Sequence, residues 1–313
     1  MKIIRPKKLT KGDLIGIISP ASSADDLTKV ETGVKYFEKL GYQIEVGKNV
    51  GKSQGYLAGS NEERLNDLHY MFKKKDVKAI ISIRGGYGST RLLDKIDYNL
   101  IRMNPKIFVG YSDITALQMA FFTRAGLVTF AGPMVAVDFH NEVDPSAEEN
   151  FWTMVTTNKK IGKVVCLNGE KIFQLTKGDK SGRIIGGNLS LITSLVGTKF
   201  LPPMRDKILM LEEIGEAPYR IDRMLNQLRL AKVFNQVSGI ILGAFIDCNE
   251  KDPTKKTLTL NEVIEDYFAK LKIPVVYNFR HGHIKDNLTI PLGINIRLNA
   301  NKNCIEYLEA AVR

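Results

Sequence analysis

Short apolar runs recur through the first half of this chain, each separated from the next by room for a crossover helix: residues 14–19, AIISI at 79–83, IFV at 107–109 and VTF at 128–130. Such a chain must pair its runs in parallel, because a parallel connection needs a crossover of about a dozen residues, and that is the room left here. The intervening segments are helical by pattern. Residues 27–40 place Val30, Val34, Phe37 and Leu40 on one face and stop at Gly41, while Ser60 and Glu63 form a capping box ahead of Leu65, Leu68 and Phe72. A parallel sheet with helices on both faces is the expected architecture of residues 1–150.

The pattern changes between 141 and 188, where Lys, Asp, Asn and Gly dominate and apolar runs such as Val164-Val-Cys166 are brief. Residues 151–180 read as a linker with some β structure. Residues 181–313 read as a second domain, with ILML at 208–211, a helix from near Pro218, GIILG at 239–243, a helix over 260–271 and strand-like segments at 288–298 and 304–308. At 313 residues two domains are expected.

Composition excludes several classes. The formal charge is +11, yet the lysines stand in small groups such as 73–75, 159–160 and 255–256, without the interleaved aromatics of a nucleic-acid groove, so no nucleic-acid partner is expected. No run approaches the ~18 apolar residues of a membrane span, and residues 14–20 are too short for an export signal. Three cysteines, Cys166, Cys248 and Cys304, lack CxxC spacing and fit a reducing compartment. A cytoplasmic location is expected.

Ligand and catalytic groups in open parallel sheets gather beyond the carboxyl ends of strands. Ser112 follows the run at 107–109 and precedes a helix pattern; it reads either as an N-cap or as a nucleophile on a tight strand-to-helix turn. Arg84-Gly-Gly-Tyr-Gly88 follows 79–83, and its glycines let backbone amides approach a negative charge, though it matches neither GxGxxG nor a P-loop. Glu212 and Glu213 follow 208–211. Of the four histidines, His69, His140, His281 and His283, the last two have a spacing that along a strand would put both rings on one face; without a third ligand of recognisable spacing, no metal is expected. Serine needs an imidazole, and the imidazole a carboxylate; Ser112, Glu212 and His283 can supply these in the chain order seen in α/β-hydrolases, although GYSDI lacks the second glycine of GxSxG.

Seven ordered motifs resemble the LD-carboxypeptidases, or muropeptide carboxypeptidases: RGGYG at 84–88, GYSD at 110–113, FAGPM at 130–134, GGNL at 186–189, LEEIGE at 211–216, RIDRML at 220–225 and GH at 282–283. The resemblance runs from near Ile15 to about Leu298. It implies a Rossmann-like N-terminal domain carrying the serine, a β-rich α+β C-terminal domain carrying the acid and histidine, and a serine peptidase with Ser112 as nucleophile, Glu212 as acid, Glu213 in reserve and His283 as base, with the backbone amides of Gly86 and Asp113 as oxyanion donors and no role for His281. It implies no metal or organic cofactor, a muropeptide or short-peptide substrate, and a homodimer. An exopeptidase must also bind a terminal carboxylate, for which Arg84 is the first candidate and Arg220 or Arg223 the next; Tyr87 and Asn188, inside two motifs, are further substrate contacts. Two alternatives use the same residues: a hydrolase of peptidyl or aminoacyl nucleotide conjugates acting in self-immunity, or a non-catalytic anion- or sugar-binding module.

Overall fold

In the computed structural model, which describes residues 2–163 and 172–313, the apolar runs become β1 (Leu14–Ile18), β3 (Val77–Ser82), β4 (Ile107–Gly110) and β5 (Thr129–Ala131), and a further strand, β2 (Gln43–Val46), lies between β1 and β3 in the chain. They alternate with α1 (Leu27–Lys39), α2 (Asn61–Lys73), α3 (Tyr98–Met103) and α4 (Thr115–Ala125). The strands pair in parallel in the order β2-β1-β3-β4-β5. Ser60 caps α2 in the expected capping box with Glu63. Nearly every residue of α4 is buried, because this helix is packed from one side by β5 and from the other by elements of the second half of the chain. A helix that is apolar all round needs such a position.

The second half contains α5 (Pro145–Thr156), β6 (Gly162–Lys163), β7 (Phe173–Thr176), β8 (Asp179–Asn188), α6 (Leu189–Ser194), β9 (Lys207–Ile214), α7 (Pro218–Leu230), β10 (Gly239–Ile246), α8 (Leu260–Phe268), β11 (Val275–Tyr277), β12 (Ile290–Leu292), β13 (Asn295–Asn299) and β14 (Cys304–Tyr307). Among the described residues the second sheet runs β6-β14-β13-β8-β9-β10-β11-β7, with a parallel centre, β8 to β11, and antiparallel margins. The fold is therefore α/β with two sheets, as the pattern predicts.

Two details depart from the expected layout. Helix α5 runs across 150/151 and buries Phe151, Met154 and Val155, so the start of 151–180 is helix, while β7 and the start of β8 are the β structure expected of that stretch. The strand-like stretch 288–298 is two strands in different sheets: β12 crosses to pair antiparallel with β5, and after Gly293 the chain returns to the second sheet as β13. The brief run at 164–166, with Cys166, lies outside the described residues.

Candidate active site

Strand β4 delivers the chain to Tyr111, and Ser112 then opens a single 3-10 turn, Ser112–Ile114, that leads into α4. The backbone of Ser112 is left-handed, with φ +61°. Such a conformation is uncommon for a residue with a Cβ and gathers at functional sites. It also corrects the capping expectation. An N-cap has extended backbone, and Ser112 instead lies within the turn; neither the turn nor α4 has a side-chain cap, and the residue ahead of α4 is Ile114. Among the described residues, Ser112 Oγ is not spent on an internal hydrogen bond.

The glycine loop runs against this serine. A Cβ added to Gly85 would lie 2.8 Å from Ser112 Cβ, 2.9 Å from its Oγ and 3.2 Å from Asp113 N, so only glycine leaves this space open. The amides of Gly86 and Asp113 donate no hydrogen bond among the described residues. The Asp113 side chain is turned inward: it accepts from Ser89 N at 2.8 Å, and burial holds its carboxyl above the ordinary range. It thereby fastens the glycine loop to the serine turn.

Glu212 and Glu213 alternate on β9 and point to opposite faces, as successive strand residues must. Glu212 is 1% exposed, and its Oε2 lies 2.8 Å from His283 Nδ1. Gly282 makes that approach possible: its φ is +129°, and a Cβ there would stand 2.9 Å from the same carboxylate oxygen. The His283 ring packs edge to face on Tyr111, the residue before Ser112, with centroids 5.1 Å apart. Glu213 is saturated instead. It accepts from Asn188 Nδ2 at 2.7 Å, Ser190 Oγ at 2.6 Å, Ser190 N at 2.8 Å and Ile214 N at 2.9 Å, and burial raises its pKa.

The two halves of the chain meet here through glycine as well. Gly187, at the end of β8, passes so close to α4 that a Cβ would be 2.4 Å from Thr115 Oγ1, and Asn188 N donates to that hydroxyl at 3.1 Å. His281 does not join His283. Both lie in the loop between β11 and β12, not on a strand, and the fully buried His281 places Nδ1 2.7 Å from the carbonyl of Leu288. Since a carbonyl only accepts, that nitrogen carries the proton; burial pushes the His281 pKa down. Among the described residues, no group of three His, Cys, Asp or Glu side chains is arranged to hold a metal.

A cleft of about 680 Å³ opens on Ser112, lined by Gly86, Tyr87, Asn188, Ser190, Phe200 and Glu216 among others. Tyr87 lines it as expected. Asn188 lines it too, but its side chain is committed, capping α6 through Leu191 N and donating to Glu213. The arginines depart from expectation: no Arg or Lys lines this cleft among the described residues. Arg84 turns to a neighbouring groove and pairs with Asp25 at 2.6 Å, and the half-exposed Arg220 pairs with Glu216 at 3.3 Å and, with Arg223, flanks the Tyr219 ring. Their side chains follow the nearest carboxylates, which the motif spacing does not reveal. Asp138 was missed. Its carboxyl lies near Tyr111 and His283, accepts from Met134 N at 2.8 Å, and is pushed up to about 6 by burial; only the packing of 134–139 against β3 brings it there.

Residues 15–132 match the LD-carboxypeptidase N-terminal domain and residues 181–298 the LD-carboxypeptidase C-terminal domain. The chain is 39% identical to the probable murein peptide carboxypeptidase of Bacillus subtilis (strain 168), over 98% of this chain and 95% of that protein. The solved muramoyltetrapeptide carboxypeptidase from Oxalobacter formigenes superposes with a TM-score of 0.81 at 28% identity, covering 94% of this chain and 97% of that one. The microcin C7 self-immunity protein MccF in complex with glutamyl sulfamoyl guanosine superposes with a TM-score of 0.89 at 28% identity, covering 99% of both chains.

Proposed function

The chain belongs to the LD-carboxypeptidase family, and from that membership we propose that it is a serine peptidase removing the terminal D-alanine from muropeptide tetrapeptides, cutting the amide after an L-configured centre. The observation that carries this reading is the Glu212–His283 pair at 2.8 Å, set against Tyr111 beside a serine held at φ +61°. In the first half-reaction Ser112 Oγ attacks the scissile carbonyl as His283 Nε2 takes its proton. Glu212 keeps the other ring nitrogen protonated and stabilises the imidazolium. The amides of Gly86 and Asp113 receive the developing oxyanion, and the α4 end of the turn adds its positive dipole. His283 then protonates the departing amine of D-alanine. Water, deprotonated by the same imidazole, hydrolyses the acyl-enzyme and frees Ser112.

Turnover of a tetrapeptide ending in free D-alanine, of its C-terminal amide and of the all-L peptide, followed by mass spectrometry, tests the assignment. Cleavage of the first alone is expected. Equal cleavage of all three would replace a carboxypeptidase by a general amidase. A second reading, hydrolysis of aminoacyl nucleotide conjugates, draws support from the structural likeness to MccF with its bound sulfamoyl nucleoside. Against it stands a cleft with Glu213 and Glu216 in its wall and, among the described residues, no fixed cation for a phosphate. The same family reading carries a homodimer, checked by light scattering, and a cytoplasmic location. No helix among the described residues is long and apolar enough to cross a membrane.

A further inference from the structure

Beside the Ser112 cleft, across the glycine loop, lies a second groove of about 530 Å³ whose wall includes Ser22, Asp25, Ser53, Tyr56 and Arg84. It is joined to the cleft by a pair of tyrosines. Tyr87 lines the cleft and Tyr56 lines the groove, and their rings meet with centroids 5.4 Å apart at 75°. Both are well exposed, Tyr56 by 65%. Ser22 fastens the two loops: its hydroxyl accepts from Tyr87 N at 3.0 Å and donates to the carbonyl of Tyr56 at 2.7 Å. Tyr56 sits at the tip of a two-residue turn closed by paired bonds between Gln54 and Leu57, with Gly55 at φ +61° in the position where such turns favour glycine. The exposed ring is thus held by backbone on a rigid tip.

We infer that the groove and its tyrosine corner form a subsite for a sugar ring carried on the acyl side of the substrate. This rests on the muropeptide reading, since a muropeptide continues from its peptide amino terminus into a lactyl-linked amino sugar. A concave, polar groove with a few convergent hydrogen-bonding groups is the usual form of a small-ligand site, and tyrosine offers an apolar face with a polar edge. Here the Arg84–Asp25 pair stands in the same wall as the Tyr56 ring, with the hydroxyls of Ser22 and Ser53, whose protons go to the carbonyls of Tyr56 and Gly55 and which offer a ligand acceptor capacity alone. The edge-to-face angle of the tyrosines argues for a puckered ring over a flat base: two rings at 75° make a corner, not the parallel slot that clasps a nucleobase.

The experiment measures kcat/KM for a sugar-free tetrapeptide and for the same peptide bearing N-acetylmuramic acid, using the unaltered protein, Tyr56→Ala and Tyr56→Trp. The unaltered protein should prefer the sugar-bearing substrate by roughly five- to tenfold through KM, the scale of one aromatic contact. Tyr56→Ala should remove that preference and leave the sugar-free peptide unchanged, and Tyr56→Trp should keep it. Equal handling of the two substrates by the unaltered protein, or an equal loss on both in Tyr56→Ala, overturns the inference. Saturation-transfer NMR on the Ser112→Ala protein, with N-acetylmuramic acid and separately with adenosine monophosphate, makes the subsite independent of turnover. A sugar signal that disappears in Ser112→Ala/Tyr56→Ala supports the subsite even if neither tetrapeptide is cleaved, in which case only the carboxypeptidase reading fails. A signal from the nucleotide alone, or from neither probe, overturns it.

Discussion

Two strand ends meet at this site, and they are built on opposite terms. At the end of β4 the backbone is strained and the side chain is free: Ser112 has φ +61°, and its hydroxyl has no internal partner among the described residues. At the end of β9 the backbone is ordinary strand and the side chains are committed, Glu213 to four hydrogen bonds and Glu212 to His283. Strain is tolerated where a reactive atom must stay unpaired, because the surrounding fold holds it in place. Where a group must stay still, hydrogen bonds hold it. Within β9 the same contrast separates two adjacent glutamates: one face meets the imidazole and the other the amino end of α6.

The sharpest way to break this contrast is at the free side chain. Ser112→Ala and His283→Ala are each expected to lower kcat by ~10⁴ to 10⁶, since members of such a unit fail together; turnover near that of the unaltered protein would end the triad reading. Ser112→Gly should be equally inactive yet more stable than Ser112→Ala by about 1 kcal/mol, because glycine accepts a positive φ without strain; chemical denaturation measures the difference, and equal stabilities would mean that the turn is unstrained. Next come the glutamates. Glu212→Gln should cost about 10³ to 10⁴ in kcat by misorienting the imidazole. Glu213→Gln should act chiefly on the fold, removing about 1 to 3 kcal/mol by setting an amide donor against Ser190 and Asn188; the reverse pattern would exchange their roles. Gly85→Ala puts a methyl 2.9 Å from Ser112 Oγ and 2.8 Å from its Cβ; it should cost about 10² in kcat/KM, the scale of a misplacement near 1 Å, and about 1 to 3 kcal/mol in stability because the serine turn must shift.

The smallest effect concerns Asp138. Its carboxyl is raised from 3.8 to about 6 in the folded protein, so the fold binds a proton that the unfolded chain has released. The stability this proton contributes is complete below about pH 4 and is lost as pH rises through about 6. Asp138→Asn, which stays neutral, should therefore gain on the unaltered protein in urea midpoint between about pH 4 and about pH 7. A pH-independent difference would place the ionised carboxylate in a better-solvated setting than its burial implies.

Much of this was legible in the order of residues. The β-branched runs and helical periods announce a parallel sheet, Ser60 and Glu63 announce a capped helix, and Ser112, Glu212 and His283 stand out by motif, because each of these signals is local in the chain. Strand β2 escaped notice because its four residues are half-buried or exposed and lack an apolar run. Alternation along β9 requires Glu212 and Glu213 to face apart, but which of them meets His283 depends on a loop 71 residues away turning at Gly282. The crossing of β12 into the first sheet, the positive φ of Ser112, the nearness of Asp138 to His283 and the turn of Arg84 toward Asp25 likewise came only from tertiary structure. Each is decided by which distant backbone and which nearest opposite charge the packed chain brings within a few ångströms, and no spacing in sequence encodes that.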